Sequence, residues 1–127
     1  MGNGTSIGRV RGLGSAHSGA HHWLVQRLTA IGNVLLLGWL VASLLLLPNF
    51  SYVSVVTWLS RPLPATAMAL LVITSFWHAR LGVQVLIEDY VREHANKFAC
   101  VAALNIAAFA GAAIGLFAIV RIALGAH

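Results

Sequence analysis

Ser75-Phe-Trp-His-Ala-Arg-Leu-Gly-Val-Gln-Val-Leu-Ile-Glu-Asp-Tyr-Val-Arg-Glu93 begins inside an apolar run and ends in the densest charge cluster of the chain. A helix turns about 100° and rises about 1.5 Å per residue. Going from His78 to Asp89 therefore returns almost to the starting direction. His78, Gly82, Val85 and Asp89 share one face, with His78 and Asp89 roughly 16 Å apart along it. His78 lies deep in the apolar part, and Asp89 and Tyr90 lie where that part meets water. A buried imidazole and a polar rim pair on one helix suggest a cofactor within the membrane and a small reactant at its surface.

The whole chain supports a membrane reading. It has 127 residues, of which 59% are hydrophobic and 9% charged, and a mean hydropathy of +0.85. Soluble domains carry about a quarter charged residues. The length allows three spans and little else. Three helices enclose a cofactor poorly, so polar groups inside them call for a partner chain. The formal charge of +5 comes from bases scattered at span ends. That pattern fits orientation in a membrane and gives no nucleic-acid patch. The single Cys100 excludes an internal disulfide and a CxxC metal site.

Residues 1–20 contain six glycines and several small polar residues, which predicts a flexible cytoplasmic lead-in. The rest, 21–127, reads as one three-helix unit with spans near 23–47, 64–87 and 98–122. Pro48 closes the first span, and Pro64 suits the first turn of the second. The loop between them, rich in Ser, Trp and Tyr, reads as a short amphipathic turn at the interface. Arg9, Arg11, Arg27, Arg92 and Lys97 fall on one side, and Arg61 and Arg121 on the other. The positive-inside rule then puts the N-terminus in the cytoplasm and the C-terminus outside.

An ionisable residue within a span is costly and usually functional. Neutral imidazole is a good axial ligand to haem iron, and Gly82, one turn beyond His78, clears a side chain where a flat ring could lie. A His bonded to a neighbouring Ser or Thr fits the same pattern. No other His lies at comparable depth, so a second ligand would come from another chain. Arg80 points away from His78 and reads as a side chain snorkelling to the interface. Arg27 and His21 stand at headgroup depth in span one. They could meet carboxylates at a pocket mouth, although lipid phosphate is the simpler partner. Tyr90 offers a hydroxyl to a quinone carbonyl and Asp89 a proton relay; a solvated interfacial pair is the plain alternative. Asn33 and Asn105 read as interhelical hydrogen bonds, and Gly111 and Gly115 as a close helix contact. Nothing resembles a nucleophile triad, a P-loop or a zinc motif.

Two stretches carry a family resemblance. Ser18-Gly-Ala-His-His-Trp-Leu-Val-Gln-Arg-Leu-Thr-Ala-Ile31 and His78-Ala-Arg-Leu-Gly-Val-Gln-Val-Leu-Ile-Glu-Asp-Tyr-Val91 resemble the small hydrophobic anchor subunits of bacterial succinate dehydrogenase (succinate:quinone oxidoreductase, complex II). The second, a His-x-x-x-Gly…Asp-Tyr pattern, is the more specific. The resemblance implies an all-α bundle of three transmembrane helices, up-down-up, packed against a second anchor subunit in the inner membrane. It implies a non-catalytic subunit serving electron transport and the tricarboxylic acid cycle. By resemblance, His78 is an axial ligand of a haem b shared with a cytochrome b-type anchor. Arg27 and His21 lie near the haem propionates. Tyr90 and Asp89 belong to the ubiquinone site. Its other partners are an iron–sulfur subunit, a flavoprotein subunit and membrane lipid. A fumarate reductase anchor is a close variant. A small transporter, with His78 and Arg80 lining a polar path, and a structural protein without haem are the competing readings.

Overall fold

The computed structural model describes residues 19–125. Four helices follow in order: α1 Gly19–Leu45, α2 Tyr52–Leu59, α3 Pro62–Tyr90 and α4 His94–Ala123. The described residues contain no strand. Helices α1, α3 and α4 are the three expected spans, each long and apolar enough to cross a membrane. Even α1, with 27 residues, reaches about 40 Å, more than the roughly 30 Å hydrocarbon core. The expected lead-in lies outside the described residues as far as residue 18; Gly19 and Ala20 already belong to α1.

Local chemistry sets the helix ends. Pro48 has no N–H and disfavours a helical Leu47, so α1 tightens into a turn in which Leu47 N donates to Leu44 O. Arg61 precedes Pro62 and is extended at φ −75°, ψ 143°, as the proline ring demands. Pro62 then takes the first helical position, where a missing N–H costs nothing. Helix α3 runs past the apolar body through Glu88, Asp89 and Tyr90 before Val91 becomes extended. The helix thus continues beyond the apolar run into the charged residues that follow it.

The first loop holds a helix of 8 residues, α2, where the sequence suggested only a turn. Its start is well capped. Ser51 Oγ accepts from Ser54 N at 3.3 Å, and Ser54 Oγ donates to Asn49 Oδ1 at 2.7 Å. Trp58 stacks on Trp39 of α1, with ring centroids 5.8 Å apart. Ser60 Oγ reaches Ile122 O at 3.4 Å, which ties the loop to the far end of α4.

Helix α3 is central. Helices α1 and α4 each pack along it and, among the described residues, not against each other. Both packings are antiparallel. On one side Thr29 meets His78 and Asn33 meets Ser75, so steps forward along α1 match steps back along α3. On the other, Gly111 meets Phe76 and Gly115 meets Val72. An up-down-up bundle results. Among the described residues few hydrophobic side chains are buried, namely Val56, Leu81 and Ile119. So much exposed apolar surface would drive aggregation in water, but it suits lipid or a covering helix.

Candidate functional site

The α1–α3 contact is a polar seam. Gln26, Thr29 and Asn33 recur every three or four residues on one face of α1, as Ser75, His78 and Gly82 do on α3. Thr29 Oγ1 lies 3.2 Å from His78 Nδ1. Ser75 Oγ donates to Asn33 Oδ1 at 3.3 Å. A methyl added at Gly82 would stand 4.0 Å from Gln26 Nε2. The clearing expected for a flat ring is thus lined by Gln26. His78 itself is half-buried.

The opposite face of α3 meets α4. Arg80 Nε donates to Asn105 Oδ1, and its guanidinium lies 5.8 Å from the centre of the Trp77 ring. Arg80 therefore braces α3 against α4, where the sequence suggested a side chain snorkelling freely. Both intramembrane amides, Asn33 and Asn105, bridge helices as expected. The Gly111 and Gly115 pair receives Phe76 and Val72, which confirms the close contact read from the small residues.

Asp89 and Tyr90 occupy the last turn of α3. Both are exposed, Tyr90 by 81%. Neither side chain hydrogen-bonds another described residue. The surroundings are ordered: Lys97 Nζ donates to Glu88 O at 2.9 Å, which caps the negative end of α3, and Gln84 Nε2 donates to Glu88 Oε1 at 2.8 Å. Since α3 is unbroken between them, His78 and Tyr90 lie about 18 Å apart along its axis.

Arg27 and His21 are exposed on α1. The Arg27 guanidinium lies 5.4 Å from the centre of the Trp23 ring. The antiparallel register sets Arg27 roughly level with Arg80, and His21 near Leu86. Both therefore lie between the depth of His78 and the end of α3 that carries Tyr90. The sequence reading did not single out Thr29. Its signal was the spacing of Gln26, Thr29 and Asn33, a polar stripe on a Leu-rich helix.

The model for succinate dehydrogenase/fumarate reductase transmembrane subunits matches residues 1–113. The chain belongs to this family. It is similar to proteins named succinate dehydrogenase hydrophobic membrane anchor subunit. The one from Rickettsia bellii is 48% identical over 86 residues, covering 67% of this chain and 68% of the relative. That from Rickettsia conorii is 39% identical, covering 69% and 71%. The Paracoccus denitrificans protein is 30% identical over 117 residues, covering 92% and 90%. No solved structure matches the chain.

Proposed function

We propose that this chain is the small anchor of a bacterial succinate:quinone oxidoreductase, with half of a haem b site at His78 and part of a ubiquinone site at Tyr90 and Asp89. The observation that carries this reading is the single unbroken helix α3, with a half-buried imidazole in its interior and an exposed Asp-Tyr pair on its last turn.

The donor chemistry at His78 fits haem. With Nδ1 facing Thr29, one ring nitrogen, Nε2, is left for iron. No group of three or more His, Cys, Asp or Glu among the described residues could hold a metal ion. One imidazole would suit a metal already carried by a macrocycle, a further ligand coming from a cytochrome b-type anchor. Arg27 and His21, between that depth and the Tyr90 end, would meet the propionates by charge-assisted hydrogen bonds. Bound there, haem b would supply one-electron storage.

At the rim the Tyr90 hydroxyl donates to a ubiquinone carbonyl oxygen and orients the ring. Reduction to the quinol takes two electrons, delivered from succinate through the flavoprotein and iron–sulfur subunits, and two protons from the cytoplasmic side. Asp89, exposed beside Tyr90, passes protons from water toward that carbonyl. The exposed turn also gives the soluble subunits a place to dock. The N-terminus faces the cytoplasm and the C-terminus the periplasm of the inner membrane. A fumarate reductase anchor would use the same groups with electron flow reversed.

The test is a reduced-minus-oxidised spectrum of the complex purified through this chain. A b-type α band and co-purifying flavoprotein and iron–sulfur subunits are expected, with the band weakened or lost in His78→Ala. An α band of unchanged ratio to protein in His78→Ala would overturn the ligand assignment. A wild-type preparation with no band would favour a transporter or scaffold.

A further inference from the structure

Thr29 joins α1 to His78, and its hydroxyl also has carbonyl acceptors on its own helix. Its hydroxyl lies 2.9 Å from Val25 O and 3.1 Å from Gln26 O. Carbonyl oxygens only accept, and a helical threonine usually gives them its hydroxyl hydrogen. The same oxygen lies 3.2 Å from His78 Nδ1. A hydroxyl bonded in that way accepts from Nδ1.

We propose that Thr29 is a positioning residue: by accepting from His78 Nδ1–H it fixes the tautomer and ring orientation that hold the Nε2 lone pair ready for iron. This rests on the haem reading of His78. A neutral imidazole carries one proton, so a proton held on Nδ1 leaves Nε2 free. Metal-bound histidines generally donate their second ring N–H in this way. The partner raises ligand basicity, and losing it costs about 10–100-fold in metal affinity. A more basic imidazole stabilises ferric over ferrous iron, so losing the bond should raise the reduction potential. Geometry supports a dedicated role. Thr29 lies between Gln26, which lines Gly82, and Asn33, which accepts from Ser75, so contacts one turn to either side hold the two helices in register.

The test uses the whole complex purified from membranes with four forms of this chain: wild type, Thr29→Val, Thr29→Ser and His78→Ala. Valine keeps the shape and removes the oxygen; serine keeps the oxygen and drops the methyl. Haem per complex, the potentiometric midpoint and the low-spin ferric electron paramagnetic resonance signal are measured. The expected result is a higher midpoint, a shifted signal and about 10–100-fold weaker haem retention in Thr29→Val, with wild-type midpoint and signal in Thr29→Ser. If Thr29→Val does not assemble, Thr29→Ala removes the same oxygen without a branched side chain and is held to the same expectation. Wild-type values in the oxygen-deleted variant would overturn the role of Thr29 while His78→Ala still lost haem. Equal shifts in Thr29→Val and Thr29→Ser would assign the effect to packing and overturn it as well. A haem-free wild-type complex would remove the reading of His78 beneath it.

Discussion

Replacing Gly111 by Ala tests the α3–α4 contact directly. An added Cβ at Gly111 would lie 2.4 Å from Cε1 and 2.7 Å from Cζ of Phe76. Carbon atoms settle at about 3.5–4.0 Å, so the overlap is about 1 Å or more. Overpacking of this kind costs about 1–3 kcal/mol. The substitution also gains about 0.5–1 kcal/mol, because mid-helix Gly is disfavoured relative to Ala. Gly38 separates the two terms, since nothing lies within 4 Å of a Cβ added there. Gly38→Ala should therefore stabilise by about 0.5–1 kcal/mol. The difference between the two variants should be about 1–3 kcal/mol. Phe76 is 37% exposed and can swing toward lipid, which favours the lower half of that range. Unfolding of the chain by SDS in mixed micelles, followed by tryptophan fluorescence, reads the difference. Removing the ring with Phe76→Ala should recover about 0.5–3 kcal/mol as a coupling in the double variant. Equal stability of Gly111→Ala and Gly38→Ala would refute the close approach.

Tyr90→Phe should lower quinone reduction while dye-linked succinate oxidation by the same complex survives; equal loss of both would point to failed assembly. Arg27→Gln should shift the haem potential or slow quinone turnover in the purified complex, and wild-type values of both would return Arg27 to contact with lipid phosphate. Asn105→Ala leaves the Arg80 guanidinium without its amide inside the span and should cost about 1–3 kcal/mol in the SDS unfolding assay. If Asn105→Ala unfolds like wild type, Arg80 reaches water or lipid headgroups by itself.

The three spans, their order and the amide bridges were legible because each follows from composition or from one helix alone. Long apolar runs define spans, and an Asn in hydrocarbon needs a partner wherever that partner lies. Choosing the partner was harder. That Asn33 meets Ser75 and Asn105 meets Arg80 depends on the register between helices, which side-chain packing sets. Arg80 looked mobile because its distance to the interface is short; the pairing that holds it comes from α4. Thr29 was overlooked because a threonine in a helix usually satisfies itself on its own carbonyls. Here it lies within reach of those carbonyls and also 3.2 Å from an imidazole nitrogen on a second helix. Helix α2 was hidden by its length, although Asn49, Ser51 and Ser54 carried its capping signal. At the rim, the sequence placed Asp89 and Tyr90 correctly at the end of a span, and their exposure on its last turn came from the structure.

The separation of α1 from α4 bears on the order in which the chain is made. His21, Arg27, Thr29, His78, Asp89 and Tyr90 all belong to α1 and α3, a hairpin finished before α4 leaves the ribosome. The polar seam can therefore close in the bilayer as soon as α3 inserts, before α4 has joined it. Helix α4 then arrives on the opposite face of α3, where Gly111, Gly115 and Asn105 lock the hairpin in place. Translation itself thus separates building the site from securing it.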